Sequence, residues 1–450
     1  MASGIFWSAD NPDVRVAGEL TAEVGSYAVA SFSQNLVPDP RVTITKDPER
    51  RQTTMAFSAL PERSVRSFLP ITLHGQLGTG DSVTLLHAQN YGAAGNFAPQ
   101  YRAPAAVLGV NVTNDQLYRA VRFRMDRPHW LQHMSADESS EIEDGSTLTV
   151  DSSDGENWLV YESSSPLTLR QLEIRVISGC LALLHLAIYP DEDKAIRDTQ
   201  VRIEPGGAWL TVIGPAFWAE WGELESQPLL AASDLTVKHY ADWIPLHSKL
   251  DGLTWVVARP FKGAVQTRVL LYTTIIEGFH RALPGYEKQK FPGVDPEVLH
   301  RILVAARSAA VAQAATEGLD QELVEKAVTL YTEVSFQERA AAIVAEVTGV
   351  IPELTESIAN LPRRITKARN NLAHHLTRKA RKPIEVRALE WLVVSEAISW
   401  LLRALLLLRV GIDPQVLRRR FLDFQRFGFF RANTEQHVSE LGWDLPAPPS

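Results

Sequence analysis

Period two governs the first half of the chain. Apolar and polar positions alternate in short runs at Val14–Ala17, Tyr27–Phe32, Arg41–Thr45 and Ser82–Leu86, and again at Ala120–Arg124, Thr147–Val150, Trp158–Tyr161, Leu172–Ile177, Leu181–Tyr189 and Ala208–Ile213. Alternation puts one set of side chains on each face of a pleated strand. Gly, Asp, Ser and Pro separate the runs, so the pattern predicts many short strands joined by turns, a β-rich sandwich or barrel-like domain over residues 1–235. The stretch Gly75 to Gly80 runs into a strand and lacks a Lys-Ser/Thr pair, which makes it a hairpin turn and not a phosphate loop. The acidic segment Asp137–Asp144 reads as a solvated excursion.

From about Asp234 the period lengthens to that of helices. Between Ala264 and Leu283, the residues Val265, Val269, Tyr272, Ile276, Phe279 and Leu283 form one stripe, ended by Pro284 and Gly285. Further helices are expected at His300–Thr316, Gln321–Glu333, Leu361–Lys379, Val386–Val410 and Pro414–Phe424, with another starting at Ser335, where Glu338 completes a capping box. Residues 236–445 are thus expected to be an all-α bundle, with 446–450 as a tail. The whole is an α+β multidomain chain. The stretch Trp391–Val410 is long enough to span a bilayer. However, Glu396, Arg403 and Arg409 lie within it, and a charge at bilayer depth costs up to about 3 kcal/mol. A buried bundle helix with no membrane partner is expected.

The composition of the 450 residues, 45% hydrophobic and 22% charged, excludes collagen-like, low-complexity and wholly disordered classes. Cys180 is the sole cysteine, so neither an intramolecular disulfide nor a multi-thiolate zinc site can form. The first residues lack the basic and apolar regions of a secretory signal, and a cytoplasmic protein is expected. The net charge of −8 hides an asymmetry: residues 1–235 carry 30 acidic and 17 basic side chains, residues 236–450 carry 23 and 28. Nine basic residues between Arg363 and Arg387 face one acid, Glu385. That stretch is either a solvated cationic face or a seat for a polyanion. Arg119, Arg122, Phe123, Arg124 and Arg127 interleave cations with an aromatic, in the manner of a nucleic-acid contact or an ordinary exposed strand face. No H-E-x-x-H, paired C-x-x-C or G-x-S-x-G occurs, which leaves zinc-protease, zinc-ribbon and hydrolase-elbow readings without residues to carry them.

The sharpest chemistry lies on the helix expected from Leu361, which starts after Asn360 with Pro362 in its first turn and must stop before Pro383. At 100° per residue, Ile365, Ala368, Leu372, His375 and Leu376 share one face. Lys367, Asn370, Asn371, His374 and Arg378 share the opposite one, and Arg369 flanks it. His375 therefore reads as structural, whereas His374 stands among polar and cationic groups. A histidine near neutral pKa can move a proton, and a permanently charged guanidinium can stabilise a phosphoryl group as negative charge develops. The chemistry this pair suits is cleavage of RNA by its own 2′-hydroxyl, which calls for no metal or cofactor. Arginine and histidine recur at this spacing twice in the chain. In the other instance, Arg124 and His129, Pro128 intervenes on a strand-like segment.

Arg369, Asn370 and His374 in a C-terminal helical bundle resemble the signature of the HEPN ribonucleases: arginine, a polar residue, three more residues, then histidine. Upstream, Glu277, His280 and Arg281 resemble the Glu-x-x-His-Arg element of the ApeA-like group. Gly4 to Trp7, Gly18 to Thr21, His74 to Leu77 and Ser82 to Leu85 resemble the ApeA N-terminal domain. The resemblance implies a metal-independent endoribonuclease of bacterial anti-phage defence. Such a protein would act as a homodimer or higher homo-oligomer on cellular RNA, tRNA included, and leave a 2′,3′-cyclic phosphate and a 5′-hydroxyl. Arg369 would stabilise the phosphorane, His374 would act as general acid or base, and Asn370 would support them. Lys367 and Arg378 would hold phosphates, while Glu277, His280 and Arg281 would buttress the catalytic helix. For Glu277 and Arg281, a simple i, i+4 surface pair is the competing reading. The β-rich domain would sense a phage-derived trigger or regulate the nuclease. The rival to this whole picture is a non-catalytic nucleotide-binding or assembly scaffold fused to a ligand-binding module.

Overall fold

The structure is a computed structural model. It describes the chain except residues 24, 34–35, 37–41, 48–51, 58–68, 92–98, 126–128, 136–137, 153–154, 190–195, 218–226, 260, 262, 292, 325–332, 374–382 and 444–450. Two compact units are present, Met1–Ser226 with Leu230–Ser248, and Gln227–Leu229 with Lys249–Ser450. The first is β-rich and the second helical, so the chain is α+β.

The strands are β1 (Ala2–Ser8), β2 (Asn11–Thr21), β3 (Ala28–Phe32), β4 (Val42–Asp47), β5 (Gln52–Phe57), β6 (Ile71–Leu77), β7 (Ser82–Asn90) and β8 (Gln100–Ala103). They continue with β9 (Ala105–Leu108), β10 (Leu117–Met125), β11 (Ser139–Glu141), β12 (Thr147–Asp151), β13 (Trp158–Thr168), β14 (Ile196–Arg202) and β15 (Leu210–Ile213). A single sheet runs β11-β12-β13-β10-β14-β15-β9-β7-β6-β1-β2-β3-β8 and closes on itself because β7 also pairs with β8. The ring β7-β6-β1-β2-β3-β8 is therefore a small antiparallel barrel, and the other strands extend from it as an open sheet. Strands β4 and β5 form a separate hairpin.

Aromatic rings fill the barrel. Phe6 meets Phe32 edge-on at 5.4 Å and Phe32 meets Tyr101 at 5.7 Å, with Leu20, Leu73, Val83 and Leu85 packed around them. Two glycines make room for these rings: a Cβ on Gly75 would lie 2.5 Å from the Phe6 ring, and one on Gly18 would lie 2.5 Å from the Phe32 ring. The expected hairpin turn at Gly75–Gly80 is present, with Leu77 N–H donating to Asp81 O at 2.9 Å and Gly80 at φ 93°. Strand β7 keeps β6 on one side but changes its other neighbour, from β9 at Val83–Leu86 to β8 at Gln89 and Asn90. His87 lies between these partners at φ 51°, its N–H held by Asn114 Oδ1 at 2.8 Å.

The runs Leu172–Ile177 and Leu181–Tyr189 are not strands. After α1 (His129–Gln132), they fall in one long helix, α2 (Leu169–Ile188), which contains a π-helical turn at Glu173–Ile177. Leu181–Ile188 is buried throughout and carries no amphipathic stripe, so its pattern suits a buried strand or a buried helix alike, whereas Leu172–Ile177 alternates apolar and charged residues as a strand does although Ile174 is 46% exposed. Thr168 and Gln171 form its capping box. The next helix, α3 (Val237–Lys249), packs on it: Trp243 Nε1 donates to Gly179 O at 2.6 Å, and the His247 ring covers Gly179. This contact places α3 up to Ser248 in the β-rich unit, although the change of hydrophobic period comes one helix earlier. Within the acidic segment, Ser139–Glu141 is the edge strand β11.

The helical unit contains α4 (Leu253–Ala258), α5 (Val265–Ala282), α6 (Pro296–Thr316), α7 (Phe336–Thr348), α8 (Leu361–Ala373), α9 (Ile384–Arg409), α10 (Pro414–Asp423) and α11 (Gln425–Glu440), and the chain is also helical over 321–324. The Ser335 and Glu338 capping box at the start of α7 is formed as expected. Helices α2 and α9 are long and apolar enough to cross a membrane by length and composition, and both are mostly buried in the protein. In α9, Arg403 is 3% exposed and donates to the carbonyls of Val257 and Ala258 at 3.3 and 3.1 Å, at the carbonyl end of α4. Glu396 pairs with Arg268 at 2.6 Å. The charges that argued against a membrane span are thus satisfied inside the bundle.

Candidate active site

Helix α8 begins where the sequence places it. Asn360 adopts φ 52°, its Oδ1 accepts from Arg363 N–H at 3.3 Å, and Pro362 occupies the first turn. Leu361, Ile365 and Ala368 are buried, as their shared stripe requires, and Asn370 and Asn371 are exposed. His374, His375 and Arg378 lie outside the described residues.

Lys367 and Arg369 leave the helix on different flanks. Lys367 approaches the buried Glu390 of α9 at 3.8 Å, beside Arg364, which stacks 3.9 Å over Trp443. Arg369 turns towards α5 and α7, where its Nη2 donates to Glu277 Oε2 at 3.0 Å and its guanidinium lies 4.4 Å from the centre of the Phe336 ring. The second oxygen of Glu277 accepts from Arg281 at 3.0 Å. The i, i+4 pair is therefore real, but it is half of the arrangement: one carboxylate bridges an arginine of its own helix and the arginine of α8. The contact to α8 is a tertiary one that the spacing on α5 does not reveal.

His280 has a different neighbourhood. It is 1% exposed and stacks on Tyr286 at 4.8 Å with 9° between the rings, and its Nδ1 has no hydrogen-bond partner among the described residues. Tyr286 donates to Glu346 of α7, which also accepts from Arg409 of α9 at 2.7 Å. Burial first, then the positive charges of Arg339, Arg281 and Lys288, push the His280 imidazole below its usual range. Of the upstream element, Glu277 alone reaches Arg369 directly. Phe336, Tyr286, Glu346 and Arg409 escape sequence reasoning because nothing in their local spacing marks the tertiary contacts they make.

Two of the interleaved arginines of β10 are paired with acids, while Arg119 donates to Ser164 O at 3.3 Å. Phe123 is buried, while Arg122 pairs with Asp151 at 3.5 Å and stacks on Trp158 and Trp209 at 4.2 and 4.8 Å. Arg124 pairs with Asp198 and Glu156. This is an ordinary, charge-compensated sheet face; Arg127 lies outside the described residues. Among the described residues no group of three or more His, Cys, Asp or Glu side chains could hold a metal ion.

Residues 270–416, about a third of the chain, match the family model described as Apea-like HEPN. The matched segment contains Glu277, Arg369 and Asn370. HEPN domains are generally ribonucleases, and they typically dimerise and bind RNA. Comparison with curated proteins gives no match, and comparison with solved structures gives none.

Proposed function

Starting from a helical region that belongs over residues 270–416 to the Apea-like HEPN family, we propose that this protein is an endoribonuclease whose chemistry rests on Arg369 and His374. The carrying observation is that Arg369 sits half-exposed on a cationic helix, held by groups that fix its guanidinium, one residue before an exposed asparagine and five before a histidine. The 2′-oxygen of the substrate forms a bond to phosphorus while the bond from phosphorus to the 5′-oxygen breaks. His374 takes the 2′-hydroxyl proton or gives one to the leaving oxygen, and a second histidine, supplied by the partner copy of a homodimer, does the converse. Arg369 compensates the charge that builds on the phosphoryl oxygens. The products are a 2′,3′-cyclic phosphate and a 5′-hydroxyl, with no net proton change. Asn370 supports the pair, and Lys367 and Arg378 attract the backbone in a salt-dependent way.

In the cell, the reading is a cytoplasmic anti-phage enzyme acting on tRNA or other cellular RNA. Its β-rich unit would sense a phage-derived trigger or restrain the nuclease. The test is digestion of total cellular RNA, in EDTA, by the full chain and by His374→Ala, followed by analysis of the fragment ends. Cleavage by the wild type alone, leaving cyclic phosphates, is expected. Equal cleavage by both proteins would remove His374 from the mechanism, and cleavage by neither, with RNA still bound, would favour a scaffold.

A further inference from the structure

We propose that Glu277 is a positioning residue for Arg369, an inference that rests on the nuclease reading above. A guanidinium on a long side chain is useful in a transition state only if it is already where charge will develop. Two contacts fix it here. The Glu277 carboxylate holds one edge at 3.0 Å, and the Phe336 ring supports one face at 4.4 Å. Edge and face together define the plane of the group, which neither contact does alone.

The carboxylate is itself anchored. Arg281 holds its other oxygen at 3.0 Å and lies 3.9 Å from Glu333, which is 3.9 Å from Arg339. Arg339 is 4% exposed and donates to Val334 O at 3.0 Å. Alternating charges therefore run Arg339, Glu333, Arg281, Glu277, Arg369, from a buried arginine through an exposed pair to the proposed active-site arginine. A carboxylate needed only for an i, i+4 pair on α5 has no reason to turn an oxygen towards α8.

Arginine has five N–H donors in a fixed fork. Glu277 engages an Nη2 hydrogen and thereby orients the fork, so that its remaining donors meet a phosphoryl group at a fixed angle. A catalytic group displaced by about 1 Å loses about 100-fold in rate. Loss of this carboxylate is accordingly expected in turnover and not in RNA affinity.

The experiment uses the full chain and a synthetic RNA oligonucleotide that the wild type cleaves, with Arg369→Ala as reference. Glu277→Gln keeps the size of the side chain and removes its charge; Glu277→Asp keeps the charge at shorter reach. The expected result is a kcat about 10- to 100-fold lower for Glu277→Gln with KM within about 3-fold of wild type, an intermediate kcat for Glu277→Asp, and unchanged melting for both. Wild-type kcat in Glu277→Gln would overturn the positioning role. A faster Glu277→Gln would overturn it too, showing a carboxylate that competes with phosphate for Arg369, as would a raised KM at constant kcat. If Arg369→Ala cleaves as fast as the wild type, the nuclease reading falls and the role of Glu277 falls with it.

Discussion

Arg409 of α9 donates to Glu346 of α7 at 2.7 Å, and the Tyr286 hydroxyl donates to the same carboxylate. The carboxylate joins three segments of the helical unit, since Arg409 also donates to Pro284 O at 2.9 Å. Both partners of the ion pair are largely buried. Glu346→Ala would leave a guanidinium and a phenol short of an acceptor, at a cost of about 1–3 kcal/mol. Urea unfolding followed by circular dichroism checks this; an unchanged midpoint would mean that water replaces the carboxylate without loss.

His280 makes the helical unit sensitive to acid. Its folded pKa is depressed by burial and by neighbouring cations, whereas the unfolded chain titrates at about 6.5. As pH falls through about 6.5 the unfolded state takes up a proton that the folded state refuses, so the contribution is fully present above about 6.5 and is lost on acidification from there down to the folded pKa. His280→Phe keeps the stacking on Tyr286 and removes the titration. The unfolding midpoint of the wild type should fall more steeply between pH 7.5 and 5.5 than that of the variant. Parallel slopes would assign the acid sensitivity elsewhere, with the buried His247, also depressed by burial, as the next residue to change.

Arg403 is a polar plug in an apolar helix. Arg403→Met preserves most of the volume but leaves the carbonyls of Val257 and Ala258 without these donors, which costs about 2–4 kcal/mol in a dry site. Thermal melting should show a clear drop. A variant as stable as the wild type would indicate that hydrophobic filling offsets the lost hydrogen bonds.

Arg369→Lys distinguishes charge from shape. Lysine keeps the positive charge but has neither the planar fork that meets Glu277 at its edge nor the flat face that lies on Phe336. RNA cleavage should fall about 100-fold, the order of one lost transition-state donor, with the circular dichroism spectrum intact because Arg369 is half-exposed. Activity within a few-fold of wild type would show that a point charge suffices.

Much of this was legible in the sequence, and the failures have two physical causes. The start of α8 at Asn360, the capping box at Ser335 and the buried stripe of Ile365 and Ala368 are local, set by neighbours within four residues. The buried-bundle reading of α9 was also accessible, because Glu396 and Arg403 interrupt its apolar run. Helix α2 does not declare itself as a helix because burial on all sides erases the periodicity of Leu181–Ile188 and because Leu172–Ile177 alternates at period two. The pairing of β3 with β8, which completes the ring, and the bridge from Glu277 to Arg369 are pairings across long sequence distances, and neither partner's local pattern names the other.

The shared strand β7 has a consequence for how the β-rich unit comes apart. A closed ring and an open sheet joined by a linker could melt as separate events, but here a single strand supplies the hydrogen bonds of both, switching partner around His87. Peeling β9 away exposes one edge of the same strand whose far end seals the ring. Opening either part therefore loosens the other, and the two should behave as one cooperative block. Amide hydrogen exchange would register this as matching protection at Leu73, Leu85 and Val107, whereas faster exchange at Val107 alone would mean that the open sheet frays independently of the barrel.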